Sequence, residues 1–254
     1  MLAGDVRTIR LLLQYDGREF VGWQRQERGV SIQGTIEDAL AKIDGGAVTL
    51  HGAGRTDAGV HALGQVASAR MNSPLDDETL ARALNANLPP AVRVVDVATV
   101  ADDFHARFSA RSKTYEYRIW NGAAIPPFIR QYAWHVPQRL AVDVMQQAAN
   151  AFIGEHDFAA FQGTGSTVHT TVRTVTSARW IEGEPNAGGR LLSFEMSGAG
   201  FLRHMVRAVT GTLIEIGLGR RAADDIPRLL ASRDRSQAGR TAPACGLFLM
   251  RVEY

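Results

Sequence analysis

The chain has 254 residues, of which 45% are hydrophobic and 21% charged, and its formal net charge is +2. These proportions are those of an ordinary globular protein, and they exclude a collagen-like chain, a coiled coil and an intrinsically disordered chain. The length is sufficient for two small domains or one large domain with a real hydrophobic core.

The first half of the chain predicts secondary structure in the order β-α-β-β-α-β. Hydrophobic runs predict the strands, and apolar residues at helical spacing behind a capping residue predict the helices. In chain order, we expect a strand at 7–15, a helix from Ser31 to Ile43, strands at about 47–52 and 62–70, a helix from about Asp76 and a strand at 92–100.

The second half repeats this order, with one additional helix. The expected elements are a strand at 112–120, a helix near 141–153, strands near 172–182 and 190–198, a long helix at 201–217, the additional helix near 224–232 and a last strand at 246–253. The repetition predicts an α+β fold of two ferredoxin-like halves, whose antiparallel sheets join around a central cleft. We place the boundary near residue 106, which gives domains 1–106 and 107–254.

The cysteine and lysine contents narrow the functional classes. Cys245 is the only cysteine, which excludes an internal disulfide and a Cys-rich metal site and fits a reducing cytoplasm. No apolar run approaches the ~20 residues of a membrane span, so we expect a soluble, unexported protein. Lys42 and Lys113 are the only lysines among 28 basic residues. Arginine suits phosphate and base recognition, although GC-rich coding gives the same excess.

The densest motif is GAGRTDAGVH at residues 52–61, between two predicted strands. Its three glycines permit positive φ and close approach of a ligand, and they flank the polar residues Arg55, Thr56 and Asp57. The motif is neither a phosphate-binding P-loop nor a dinucleotide fingerprint, which argues against a nucleotide cofactor. Residue chemistry alone favours a simple hairpin connection in which Asp57 bonds its own backbone, and it leaves a functional site open.

Four segments together resemble successive signatures of the tRNA pseudouridine synthase A (TruA) family. They occur in the family's order and cover both halves: YDGREFVGWQRQ (15–26), GAGRTDAGVHALGQVA (52–67), FHARFSARSKTYEYRIWN (104–121) and GFLRHMVRAVTGTLIEIG (200–217). The resemblance implies isomerisation of uridine to pseudouridine at positions 38, 39 and 40 of the tRNA anticodon stem-loop. It also implies a homodimer, and catalysis without a metal or organic cofactor.

The resemblance also implies roles for individual residues. Asp57 matches the catalytic aspartate, and Tyr115 matches the active-site tyrosine that lies against the target base. Arg207 matches the arginine that pairs with the aspartate, and Arg55 matches the arginine that helps to hold the base flipped out of the RNA. Base flipping is needed because the reacting atoms are inaccessible in a stacked stem.

Two further arginines are predicted to contact the RNA. Arg25 lies in the GWQRQ segment, which matches a family loop near the active cleft, and we expect it to contact phosphate. Trp23 of the same segment fits either the core or the site. The predicted helix at 201–217 places Arg203 and Arg207 one turn apart on one cationic face, which makes Arg203 a candidate substrate contact.

Two alternative functions remain at this point. A non-catalytic RNA-binding module fits tandem ferredoxin-like sheets, but the sequence lacks an RNP1 string rich in aromatic residues. A glycoside hydrolase also cleaves a glycosidic bond, but it uses paired carboxylates, and the motif has no second carboxylate beside Asp57. Replacing Asp57 by asparagine discriminates the binding module from an enzyme, because a binding module tolerates the change.

Overall fold

The computed structural model describes residues 6–165, 168–186 and 188–254. The chain divides into two compact units: the first runs to Arg111 and also contains Leu249–Tyr254, and the second is Ser112–Phe248. Both units mix helices with strands, so the fold is α+β, as the sequence predicts. In the described part of the chain, no helix is long and apolar enough to cross a membrane.

The first unit has the predicted order of elements. It contains β1 (Arg7–Tyr15), α1 (Ile32–Asp44), β2 (Leu50–Gly52), β3 (His61–Met71), α2 (Asp77–Asn87) and β4 (Val92–Val100). Strand β1 pairs antiparallel with both β3 and β4, and β2 pairs antiparallel with β3. The strand order within this unit is therefore β4-β1-β3-β2. The last residues of strand β10 (Leu247–Glu253) also belong to this unit and run beside β3.

Both helices of the first unit begin where side-chain capping predicts. Ser31 accepts a hydrogen bond from the backbone N–H of Gly34, and Asp76 accepts one from that of Thr79. These caps satisfy N–H groups that a helix leaves unpaired at its first turn. The apolar faces that follow are fully buried, with Ile36 and Leu40 on α1 and Leu80 and Leu84 on α2. The two helices thus cover the core of the first unit. The loop between β2 and β3 carries the polar residues Arg55, Thr56 and Asp57.

The second unit contains a longer set of elements. These are β5 (Ser112–Gly122), β6 (Trp134–Val136), α3 (Val142–Asn150), β7 (Gly154–Asp157), β8 (Val172–Glu182), β9 (Gly189–Gly198), α4 (Met205–Gly217), α5 (Asp225–Ser232) and the start of β10. The strands β5, β9, β8 and β7 pair antiparallel in that order, while β6 pairs parallel with β5. Helix α4 is buried almost all round, because Arg207 and Glu215 alone among its residues are partly exposed.

Three predictions of secondary structure differ from the structure. The strand expected at 47–52 is only Leu50–Gly52, since only these residues pair with β3. The strands β6 and β7 were not predicted, because three or four residues are too few to show an alternating pattern. The helix expected at 201–217 begins at Met205, because His204 has a left-handed backbone with φ of 60°.

Candidate active site

Asp57 lies in the loop that joins β2 to β3, which we call the Asp57 loop (residues 53–60). Asp57 itself is half-buried, its neighbour Thr56 is buried, and Arg55 is exposed. Arg55 and Asp57 are therefore presented by one loop, while Tyr115 and Arg207 belong to the second unit. The side chains of this loop thus combine a half-buried carboxylate with a guanidinium that reaches solvent.

Hydrogen bonds fix the loop backbone on both sides of Arg55. Gln65 of β3 donates from Nε2 to the carbonyl of Gly54 at 2.9 Å. The hydroxyl of Thr56 shares a hydrogen bond of 2.8 Å with the hydroxyl of Tyr15, and the carbonyl of Thr56 accepts from the backbone N–H of Trp23 at 2.9 Å. Because these partners lie on buried strands or in the core, they hold the backbone that carries Asp57 in one position.

Tyr15 serves this loop as a neutral hydrogen-bonding group. Burial raises the pKa of its hydroxyl to about 12, and this effect outweighs the hydrogen bonds with Thr56 and Gln65, which lower the pKa. The phenol therefore stays protonated at neutral pH. Its ring packs at 6.2 Å from that of Trp23, which is only 2% exposed. Trp23 is thus a core residue of the first unit.

The segment 16–23 lies against the Asp57 loop so closely that two of its residues must be glycine. Gly22 has φ of 111°, and a Cβ there would lie 2.7 Å from the carbonyl oxygen of Thr56. A Cβ on Gly17 would lie 2.0 Å from the carbonyl oxygen of Val60. Both distances are shorter than any real Cβ contact, so these glycines permit the close approach. Sequence analysis places Gly22 in the GWQRQ segment near the expected active cleft, but it gives no structural role to Gly22 or to Gly17, which also stands in the YDGREFVGW string.

His61 closes the other end of the loop. It is only 1% exposed, and its Nδ1 accepts a hydrogen bond from the backbone N–H of Gly17 at 3.2 Å. The same Nδ1 lies 3.2 Å from Oδ1 of Asp16, and Asp16 is also paired with Arg18. The buried ring therefore anchors segment 16–18 to the start of β3.

Tyr115 lies on β5 in the second unit, where it is 7% exposed. Its ring meets that of Phe201 edge-to-face, with 5.2 Å between the centroids. This arrangement is the favoured geometry for aromatic pairs and fixes the plane of the tyrosine ring. Tyr117, two residues further on, is fully buried and donates to the carbonyl of Pro243 at 2.7 Å. Tyr117 is thus a core residue, whereas Tyr115 remains the candidate for the site.

Arg207 is half-buried near the start of α4. Its Nε donates to the carbonyl of Ala242 at 2.8 Å, and its own carbonyl accepts from the N–H of Ala242 at 3.1 Å. The neighbouring carbonyl of Pro243 is the one held by Tyr117. These bonds orient the guanidinium, because the side chain and the backbone of Arg207 are tied to the same residue.

Arg203 does not stand on the same helix face as Arg207, so that prediction is wrong. The helix begins only at Met205, and Arg203 lies in the preceding turn. Its guanidinium donates to the carbonyl of Thr164 at 2.9 Å, and its own carbonyl accepts from the N–H of Gly163 at 2.8 Å. Its exposed side chain is thus directed by the loop around residue 164, and a contact with RNA stays a prediction.

Arg25 is held within the first unit by carboxylates of α1. Its guanidinium bonds Glu37 at 2.8 Å and Asp38 at 2.6 Å, and it also donates to the carbonyl of Gly34 at 3.1 Å. The hydrogen bonds to Asp38 and Glu37 raise the pKa of this guanidinium. A phosphate would have to share or replace these partners, so the contact predicted for Arg25 stays untested.

Comparison with known proteins identifies the family. The sequence model of a family described as tRNA pseudouridine synthase matches residues 12–109 and 148–254. These ranges include the Asp57 loop and Arg207, while Tyr115 lies outside them. The chain belongs to the tRNA pseudouridine synthase family. The resemblance that the sequence motifs indicate is therefore confirmed.

Relatives within the family match this chain nearly from end to end. A tRNA pseudouridine synthase A from Acetivibrio thermocellus is 43% identical over 249 residues, which cover 98% of this chain and 100% of the relative. The protein of the same name from Syntrophotalea carbinolica is 44% identical over 247 residues, which cover 97% and 96%. A solved H/ACA ribonucleoprotein bound to a substrate RNA containing 2′-deoxyuridine matches at 12% identity and a TM-score of 0.33, over 81% of this chain and 44% of that chain. A score this low does not establish a shared fold.

Proposed function

We propose that this enzyme isomerises uridine to pseudouridine at positions 38, 39 and 40 of the tRNA anticodon stem-loop, with Asp57 as the catalytic group and without a cofactor. Membership of the tRNA pseudouridine synthase family makes the protein an enzyme that isomerises uridine in tRNA. The observation that carries the finer proposal is the Asp57 loop, in which an aspartate is presented by a backbone tied to buried groups on both sides of Arg55.

The reaction explains why one fixed carboxylate is needed. The bond between ribose C1′ and uracil N1 breaks, the freed base turns, C1′ joins C5, the C5 proton leaves and N1 gains a proton. A carboxylate can act as a nucleophile at C1′ or C6, or as a base that removes the C2′ proton. Each route requires Asp57 in its ionised form and at a defined position, and the hydrogen bonds of Thr56 and Gly54 supply that position.

We propose that Arg207, Tyr115 and Arg55 complete the site in the roles that the family resemblance implies. Arg207 pairs with Asp57 and fixes the direction of its carboxylate, for which a guanidinium already oriented by Ala242 is suited. Tyr115 lies against the extruded uracil, and its hydroxyl removes the C5 proton. Arg55, exposed at the tip of the loop, occupies the space that the flipped base leaves. Arg25 and Arg203 are the proposed outer contacts with the RNA.

The remaining expectations concern architecture and assembly. The order β4-β1-β3-β2 of antiparallel strands, with two helices, supports the ferredoxin-like assignment for the first unit. The RNA-binding cleft between the halves, the homodimer and the cytoplasmic location stay proposals that follow from the family resemblance and from the single cysteine.

The test measures tritium released from C5 of labelled uridine in tRNA transcripts, because isomerisation exchanges the C5–H bond for a C5–C1′ bond and leaves the mass unchanged. Transcripts that carry uridine at only one of positions 38, 39 and 40 are compared with one that has cytidine at all three. We expect release from the first set alone. Release from the transcript with cytidine at all three positions would overturn the assignment of positions.

The role of Asp57 is tested in the same assay with Asp57→Asn, which keeps the size of the side chain and removes its charge. We expect this variant to release no tritium while it still binds tRNA. Asp96→Asn is the matched control, because Asp96 is an exposed carboxylate on β4 that pairs with Arg10, and we expect the wild-type rate. Turnover by Asp57→Asn at the wild-type rate would show that Asp57 is not the catalytic group.

A further inference from the structure

A group of aromatic side chains stands outside the roles assigned above. His51, His105 and Phe108 stack in series, with 4.8 Å between the first two ring centroids and 4.4 Å between the last two. The guanidinium carbon of Arg107 lies 5.6 Å from the centroid of the Phe108 ring. We call His51, His105 and Phe108 the aromatic platform. Phe108 is 76% exposed, so a large apolar ring is held in contact with water.

The turn that carries His105 and Phe108 of the platform is fixed by local hydrogen bonds. The backbone N–H groups of Arg107 and Phe108 both lie within hydrogen-bonding distance of Nδ1 of His105, at 3.1 and 3.4 Å. The carbonyl of His105 accepts from the N–H of Ser109, and the hydroxyl of Ser109 accepts from the N–H of His105. Since these local bonds fix the turn, the exposure of Phe108 is a property of the fold and not of a frayed loop.

The same turn is fastened to the core next to the Asp57 loop. Ala106 is fully buried in one cluster with Ala53, the first residue of that loop, and with Val66. Its N–H donates to the hydroxyl of Ser68, and its carbonyl accepts from the hydroxyl of Tyr254. The platform therefore stands on a residue that packs against the loop carrying Asp57, within the first unit.

The chemistry of the platform favours a nucleobase. Burial, with His51 and Arg107 nearby, lowers the pKa of His105 from 6.5, and its Nδ1 accepts a backbone N–H, so the ring presents a neutral face. The surface carries both signs of charge, because Asp102 and Asp103 are exposed carboxylates and the guanidinium of Arg107 lies over the Phe108 ring. Nucleobases stack on such aromatic faces, and an arginine beside the ring adds to that stacking.

We propose that the aromatic platform binds an unpaired nucleobase of the tRNA by stacking, next to the uridine that reacts at Asp57. The proposal rests on the proposed function, and it adds a binding site for a second base of the same substrate. Base flipping disrupts the stack of the RNA, and a fixed aromatic surface beside the loop offers a displaced neighbouring base a new stacking partner. Phe108 contributes most, because it is the exposed end of the stack.

The test compares variants of Phe108 in the full chain for equilibrium binding of an unmodified tRNA transcript and for tritium release. We expect Phe108→Ala to weaken binding and to raise KM by about 5- to 150-fold, as loss of a base–aromatic stack does, with little change in kcat. Phe108→Tyr should retain wild-type binding, because it keeps an aromatic face. Phe108→Leu should lose binding as Phe108→Ala does, because leucine keeps apolar area without an aromatic face. Phe128→Ala is the matched control, since Phe128 is 91% exposed and lies in the second unit.

Either of two binding results would overturn the proposal: Phe108→Ala binds tRNA as the wild type does, or Phe108→Leu does. An altered oligomeric state of Phe108→Ala with unchanged tRNA binding would also overturn it, because the surface would then be a protein contact. Failure of the proposed function looks different, because the wild type itself would then bind tRNA without releasing tritium. If the wild type bound no tRNA, both proposals would be wrong.

Discussion

Around Asp57, hydrogen bonds and glycines determine the position of the backbone, whereas around Arg207 a helix is positioned by apolar burial. The Asp57 loop has few apolar side chains of its own, and it depends on Tyr15, Gln65 and Trp23 for its conformation. Helix α4 is buried on nearly every side. A change near the loop should therefore alter catalysis more than stability, and a change within α4 should alter stability first.

The largest effect should come from Gly211→Ala in α4. A Cβ at this position would lie 1.7 Å from the carbonyl oxygen of Arg240, so the helix and the segment it packs against must separate. Overpacking of this kind costs up to about 3 kcal/mol of the free energy of unfolding. Urea denaturation measures the loss. Gly200→Ala is the control, because the nearest atom to its Cβ would be 4.0 Å away. Equal midpoints for the two variants would mean that α4 is seated less tightly than described.

The next effect should come from Gly22→Ala, and it should appear in the reaction rate. The new Cβ would lie 2.7 Å from the carbonyl oxygen of Thr56, at a φ that L-residues rarely adopt. We expect kcat in the tritium assay to fall about 100-fold, since small displacements of catalytic groups cost this much. The free energy of unfolding should fall by about 1 kcal/mol.

Gly46→Ala is the control for Gly22→Ala, because nothing lies within 4 Å of the Cβ it would introduce. If Gly22→Ala lost stability in proportion to its activity, the loop and the fold would be one cooperative structure. The contrast between the Asp57 loop and helix α4 would then disappear.

The smallest effect concerns alkaline pH. The pKa of Tyr15 is about 12 in the folded protein and about 10 in the unfolded chain, so the unfolded state loses the proton first. The contribution of Tyr15 to stability is complete below pH 10 and is lost as the pH rises from 10 to 12. Burial also raises the pKa values of Tyr117 and Tyr254, so all three tyrosines act in the same direction.

Urea unfolding of the wild type and of Tyr15→Phe between pH 8 and about 11 checks this assignment. The decrease in the free energy of unfolding above pH 10 should be shallower in Tyr15→Phe, while the difference at pH 8 measures the hydroxyl group alone. Identical slopes would contradict the burial of Tyr15 beneath the Asp57 loop.

Sequence reasoning succeeded where the cause of a feature is local. The caps at Ser31 and Asp76 depend on residues three positions away, and the family motifs are contiguous strings. It failed where the cause lies elsewhere in the chain. The requirement for glycine at position 22 comes from Thr56, and the pairing of Arg25 comes from Glu37 and Asp38 on α1.

The predicted start of α4 was wrong for a similar reason. Apolar spacing extends back to Phe201, and nothing in that pattern indicates that His204 adopts a left-handed backbone. A Cβ on Gly163 would lie only 2.5 Å from Nδ1 of His204, so the His204 ring packs directly against this glycine. The turn at 203–204 is thus held by a loop about forty residues earlier in the chain, which periodicity does not detect.

The return of the final residues to the first unit bears on how the protein folds during its synthesis. The carbonyl of Glu253 accepts the N–H of Arg111, and the hydroxyl of Tyr254 reaches the carbonyl of Ala106. A ribosome that has translated only the first unit has not yet made these partners. Domains that are contiguous in sequence fold as they emerge, but here the unit that begins first must wait for residues 249–254 to be synthesised before it is complete.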